Sequence, residues 1–272
     1  MQDKVVVDLG AVQKTLFLPL WGRAMETRRK DPMLEDPAAV RVIESVDFDF
    51  PTITQNITEI SQIAWIMRSI RVDTVIAKVI AEDPRATIVN IGCGLDTTFD
   101  RVDNGQLTWY DLDLPDVIVL RRKFFEDSDR RRMIASSFLE ESWMDAIAAD
   151  GRVLFIAAGV FYYFEEEIIS GFMKRLADRY PGGELLFDVC SPTGVRTANQ
   201  MVIKRAGMDE GALMVWGLKH TDDILAWDDR IRLLDTITYF EDKRIGLKNR
   251  LMGYVSDLLR IQYMIHLRIA DE

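Results

Sequence analysis

The sequence is poor in the residues that build metal and disulfide frameworks. It holds two cysteines, Cys93 and Cys190, and two histidines, His220 and His266, scattered along 272 residues. Their spacing fits neither a zinc motif nor a disulfide scaffold, so no metal site is expected. Basic excess is also missing: 34 Lys and Arg stand against 44 Asp and Glu, a net charge of -10. A nucleic-acid partner is therefore not expected, because phosphate-backbone binding needs a basic footprint. The densest basic cluster, DRRRM at 129–133, is flanked by Glu126, Asp127 and Asp129 and reads as a solvated loop. No run approaches the roughly 18 apolar residues of a membrane span. The start, MQDKVVVDLGAVQK, lacks the basic and apolar regions of a signal peptide. A cytoplasmic location without a membrane partner is the expectation.

What is present is ordinary globular composition, 48% hydrophobic and 29% charged, on a chain long enough to bury a sizeable core. No internal repeat or low-complexity linker interrupts it, so residues 1–272 read as one domain. Residues 1–82 form a helical N-terminal cap and residues 83–272 an α/β core. In the cap, AVQKTLFLPLWGRAMETRRKDPML is amphipathic, interrupted by Pro19 and closed by Pro32. DPAAVRVIESV offers Asp36 as N-cap and Pro37 at the first helical position. TEISQIAWIMRSIRVDTVIAKVIAED is apolar nearly all round and reads as a helix buried by its neighbours.

From residue 87 short apolar runs alternate with helical stretches. TIVNI, LTWYDL, RMIAS, VLFIAA and ELLFDVC read as strands; DVIVLRRKFFE, SWMDAIAAD and EEEIISGFMKRLADRY read as helices. That order implies βαβ units and a mostly parallel sheet covered on both faces. IRLLDTITYF and YMIHLRI add two strands, the last positioned to enter antiparallel. The fold class is α/β, doubly wound and Rossmann-like, with a seven-stranded sheet.

In such sheets ligands bind beyond the carboxyl ends of the strands. The first βα turn is NIGCGLDT, where Gly92 permits a tight turn and Gly94 a close backbone approach. A glycine turn alone is a weak signal and serves equally as a bare structural turn. The next strand, however, ends in WYDLDLP, with Asp113 placed 19 residues after Gly94 to accept both hydrogen bonds of a ribose diol. Asp111 and Asp113 also read as a solvated strand end or a helix N-cap; Asp113 is preferred as the ribose ligand. The third glycine of a dinucleotide fingerprint is replaced by Thr97, and Asp96 puts a negative charge where a pyrophosphate would sit. Adenosine joined to a cationic centre without phosphate suits this turn better than NAD, and S-adenosyl-L-methionine has that composition. A nicotinamide-dependent oxidoreductase remains the alternative.

The combination of VNIGCGLDTTFDR with WYDLDLPDVIVLRRKFF resembles the leucine carboxyl methyltransferase family, in particular its bacterial polyketide O-methyltransferase branch. The likeness extends through ISQIAWIMRSIRVD, ASSFLEESWMDAI, Val153–Ile168 and MVWGLKHTDDILAW, and so over nearly the whole chain. It implies a class I S-adenosylmethionine-dependent methyltransferase with a helical cap, acting on a small aromatic or carboxylic acceptor. It further implies that Arg68 grips the cofactor carboxylate, while Gly92 and Gly94 approach its methionine moiety; Asp96 is read as cofactor-binding from its charge, which suits a cationic centre. Asp113 then holds the ribose, Ser137 and Phe138 contact adenine, and Gly159, which matches the family pattern after the fourth strand, is a further cofactor-binding position. Arg68 among Ile63, Ile66, Met67 and Val72 is costly to bury without an anion, which also admits a structural ion pair; Arg71 competes for either role. One departure stands out. In AAGVFYYF, Ala158 occupies the position of a family glutamate, although Gly159 and Tyr163 match. That loss leaves a degenerate binding module as a further alternative.

Methyl transfer from a sulfonium needs alignment and a dry site more than a base. If a base is used, His220 is the candidate by its ordinary pKa; capping the helix that begins at Thr221 or Asp222 is its other reading. Tyr162 and Tyr163 read as acceptor-pocket or packing residues. Phe17, Leu20, Trp21 and Met25 are expected to roof the acceptor site with an apolar surface.

Overall fold

In the computed structural model, residues 4–6, 15–207 and 210–271 are described. Seven strands form the main sheet: β1 (Thr87–Ile91), β2 (Thr108–Asp113), β3 (Arg131–Ala135), β4 (Val153–Ala157), β5 (Glu184–Val189), β6 (Ile231–Ile237) and β7 (Tyr263–Ile269). Their order is β3-β2-β1-β4-β5-β7-β6. The first five are parallel, and β7 enters antiparallel between β5 and β6. The strand order reverses between β1 and β4, and this switch point opens a crevice above their carboxyl ends.

Among the described residues ten α-helices accompany them: α1 (Phe17–Thr27), α2 (Pro37–Ser45), α3 (Phe50–Thr54), α4 (Glu59–Glu82), α5 (Thr98–Val102), α6 (Pro115–Arg121), α7 (Glu166–Arg179), α8 (Pro192–Ala198), α9 (Asp222–Leu225) and α10 (Leu247–Leu258). Residues on alternate positions of a strand point to opposite faces, and the two faces are filled separately. Ile88, Leu154, Ile156 and Leu186 pack with Ile63, Met67 and Ile76 of α4. Val89, Phe155 and Phe187 pack on the other face with Phe172 and Met173 of α7. No helix among the described residues is long and apolar enough to cross a membrane.

The cap differs from expectation in two respects. Pro19 does not interrupt α1; it is the third residue of the helix, where its missing N–H is one that no helical carbonyl would accept. Residues 11–14, expected in the same helix, lie outside the described residues. SWMDAIAAD forms only a 3₁₀ turn at Ser142–Ala146 instead of an α-helix. The helix α10, with Leu247, Leu251, Tyr254 and Leu258 on one stripe, was not read from the sequence.

A buried polar knot fastens the cap to the glycine turn. Asp36 is fully buried at the N-terminus of α2 and accepts hydrogen bonds from Ala39 N (2.9 Å), Arg23 Nε (2.8 Å), Arg101 Nη1 (2.9 Å) and Thr97 Oγ1 (2.5 Å). Burial alone would raise its pKa, but Arg23 and Arg101 outweigh that and hold it below the usual carboxylate value. Thr97 thus has a task that a third glycine could not perform.

Candidate active site

Above β1, β2 and β4 lies a cavity of about 470 Å³. Its floor is the turn from β1 to α5. Gly92 and Gly94 adopt left-handed φ values of 62° and 50°. A Cβ on Gly92 would stand 2.5 Å from Val160 Cγ2, so neither backbone nor neighbour admits a side chain there.

The two carboxylates at the end of β2 have different surroundings. Asp111 is fully buried and caged by Arg121 Nη2 (2.9 Å), Arg131 Nε (3.0 Å) and Trp109 Nε1 (2.8 Å). Asp113 lines the cavity and is held by backbone alone: its Oδ2 accepts from Gly94 N and its Oδ1 from Leu114 N, both at 2.7 Å. Burial pushes its pKa up to about 6, against the opposing pull of those two N–H groups.

Arg68 lines the same cavity from α4. It is 8% exposed, and its Nη1 donates to Asp188 Oδ2 (3.2 Å) and Tyr162 Oη (3.4 Å). Its Nε and Nη2 make no hydrogen bond among the described residues and lie on the cavity side, since no buried, unpartnered atom belongs to Arg68. Arg71 points elsewhere, donating to the carbonyls of Thr238 and Tyr239. Gly159, at φ 85°, gives Arg68 its space: a Cβ there would meet Nη1 at 2.9 Å.

Asp96, Ser137 and Phe138 also line the cavity. Asp96 accepts from Thr98 N (2.9 Å) and lies 3.8 Å from Arg23 Nη2. Burial opposes its ionisation, yet Arg23 and Arg101 hold its carboxyl well below the usual range. Its charge is shared with the cap and does not depend on a bound cation. Ser137 Oγ accepts from Leu139 N (3.2 Å). Phe138 packs edge-on against Phe164 and Phe172, with part of its ring at the cavity.

His220 is not brought to this site. It is exposed and absent from the cavity wall, and its backbone N–H donates to Asp223 Oδ2 at the start of α9. A histidine's type is legible in sequence; its distance from a crevice built by β1, β2 and β4 is not. The cap also presents a different face from the one expected. Phe17 and Leu20 are buried against Val42 and Phe50, whereas Leu16, Leu18, Pro19 and Arg23 of the same stretch meet the cavity. The remaining titratable wall groups, Cys93, Tyr162 and Tyr163, have pKa values raised by burial and stay protonated at neutral pH.

The site therefore joins two poles. One is a carboxylate on backbone amides, suited to a vicinal diol; the other is a guanidinium with a free edge, suited to a carboxylate. Comparison with known proteins decides what kind of enzyme carries it. The leucine carboxyl methyltransferase family profile matches residues 17–177. The tetracenomycin polyketide synthesis O-methyltransferase TcmP of Streptomyces glaucescens is 30% identical over 213 residues, 78% of this chain and 77% of that protein. The chain belongs to the leucine carboxyl methyltransferase family. It is an S-adenosylmethionine-dependent methyltransferase, which retires the nicotinamide alternative. The S-adenosyl-L-methionine-dependent methyltransferase dpfgK of Gibberella zeae is 24% identical, covering 68% of each chain. A DUF574 family protein from Streptomyces avermitilis shares the fold at a TM-score of 0.60 and 10% identity, covering 94% of this chain and 97% of that one.

One residue of the site was missed at the level of sequence. Asp188 sits inside the apolar run ELLFDVC, and a carboxylate within a strand buried on both faces is itself a signal, because it needs a partner.

Proposed function

We propose that this methyltransferase transfers a methyl group to an oxygen of a small aromatic or carboxylic, polyketide-like metabolite, and that residues 1–272 work as one domain with 1–82 as its cap. The observation that carries this reading is the continuity of the cavity: the Arg68 and Asp113 poles share it with an apolar wall. The donor set fits the cofactor. Asp113 is assigned to the ribose hydroxyls, the free edge of Arg68 to the amino-acid carboxylate, Gly92, Gly94 and Asp96 to the methionine side, and Ser137 and Phe138 to adenine. When bound, the cofactor supplies a methyl group already activated on a sulfonium.

The remaining work falls to the chain. Leu16, Leu18 and Pro19 from the cap, with Trp65, Val202 and Met214, wall the acceptor end with apolar surface and keep it dry. Flat hydrophobic acceptors suit that wall better than a charged peptide does. No described wall residue is an ordinary base near neutral pH apart from Asp113, which is committed to the ribose. The acceptor oxygen is accordingly one that ionises unaided, and alignment supplies the rate. Incubation with S-adenosylmethionine labelled in the methyl group and a panel of polycyclic phenols and aromatic acids should give labelled product, lost in Asp113→Ala. Labelling of a peptide C-terminus with none of the small acceptors labelled would refute the acceptor class.

A further inference from the structure

Asp188 lies behind the cavity wall and has no part in the assignments above. It is fully buried at the penultimate position of β5, next to the carboxyl end of the strand, where a carboxylate needs partners. Three elements distant in sequence supply its partners. Oδ1 accepts the N–H of Gly159 at 2.5 Å, on the turn after β4. Oδ2 accepts Arg68 Nη1 at 3.2 Å, from α4, and Gln262 Nε2 at 2.7 Å, just before β7. Gly159 and Arg68 both line the cavity and leave no room for a side chain between them: a Cβ on Gly159 would stand 2.9 Å from Arg68 Nη1. Beside them Ala158 lines the cavity with a methyl group, at the position where the family resemblance implies a glutamate.

We propose that Asp188 is a positioning residue for cofactor binding: from the neighbouring strand it supplies the carboxylate that Ala158 lacks. It pins Nη1 so that the free edge of Arg68 faces the cavity, and it fixes the Gly159 turn against that guanidinium. A guanidinium carrying several donors in one rigid plane is oriented by fixing one of them. Arg68 and Asp188 together are neutral, so an incoming amino-acid tail meets an oriented dipole and not a bare buried charge. This inference rests on the assignment of Arg68 to the cofactor carboxylate.

Two probes separate it from a merely structural role. S-adenosylhomocysteine carries the amino-acid tail; adenosine lacks it and keeps the ribose and base. Calorimetric titration of Asp188→Asn should show affinity for S-adenosylhomocysteine reduced about tenfold, the size of one lost charge-assisted contact. Adenosine affinity should stay within about twofold, a change too small to count as a lost contact. Adding Ala158→Glu to Asp188→Asn should recover most of the loss. Equal weakening of both probes, unchanged binding of S-adenosylhomocysteine, or no recovery by Ala158→Glu would overturn the proposal. If Asp188→Asn fails to fold, Gln262→Met carries the test: S-adenosylhomocysteine about threefold weaker with adenosine unchanged supports it, as expected for a loosened hydrogen bond, and equal or no loss overturns it. Wild-type protein that binds adenosine but not S-adenosylhomocysteine would overturn the Arg68 assignment instead, and this inference with it.

Discussion

The two ends of the cavity are made of different materials. At the end assigned to the ribose by the proposed function, Asp113 is fixed by the N–H groups of Gly94 and Leu114, one from the facing turn and one from its own neighbour. At the other pole, Arg68 is held by Asp188, 120 residues away, through side chains alone. The first arrangement leaves a carboxylate that is uncomfortable without a ligand; the second is a satisfied ion pair that keeps donors in reserve. Binding and stability are therefore separable at one end and joined at the other.

The largest expected effect breaks the joined end. Arg68→Ala leaves Asp188 buried without its cation and should cost about 3–5 kcal/mol of unfolding free energy, with cofactor binding lost as well. Urea denaturation and ligand titration on the same preparation measure the two losses. Next comes the floor. Gly92→Ala places a methyl against Val160 at a left-handed φ and should destabilise by about 2 kcal/mol or more, whereas Gly94→Ala, whose Cβ would meet Leu16 at 3.3 Å, should cost about 1 kcal/mol. Thermal unfolding ranks the pair.

Asp113→Ala should do the reverse of Arg68→Ala: affinity for S-adenosylhomocysteine falls about a hundredfold, as for two lost hydrogen bonds to a charged group, while stability is unchanged or slightly higher. The sign follows from the raised pKa. A carboxyl whose pKa rises from 3.8 to about 6 on folding binds protons more tightly in the native state. Its contribution thus favours the fold below the unfolded value and is lost as pH rises through 6. Cofactor binding runs the other way, because a ribose diol needs the ionised acceptor. Affinity should fall as pH drops through about 6, and Asp113→Asn should flatten that step.

A last effect, on stability and not on cofactor binding, concerns Thr97. Thr97→Gly restores the dinucleotide fingerprint yet deletes the hydroxyl that donates to Asp36, and should cost about 1–2 kcal/mol. It should confer no NADH binding, which fluorescence quenching would reveal.

Local features of the fold were legible in the sequence. TIVNI and YMIHLRI coincide with β1 and β7, the cap of α2 lies where Asp36 indicates, and the glycine turn announces the crevice. These depend on neighbours a few residues apart. What was not legible depends on the tertiary arrangement. The cap knot spans 61 residues between Asp36 and Thr97, and only packing decides which face of Phe17–Thr27 meets the cavity. The exposed position of His220 and the use of Asp188 are likewise set by which loops the sheet order gathers over β1 and β4. Asp96 shows the same limit: sequence gives its charge, but only the fold reveals Arg23 beside it.

The account stands most directly on calorimetric titration of the purified protein with S-adenosylhomocysteine, run beside Asp113→Ala. One site per chain with micromolar affinity, weakened about a hundredfold in the variant, is the predicted result. No saturable binding, or equal binding by both proteins, would contradict it.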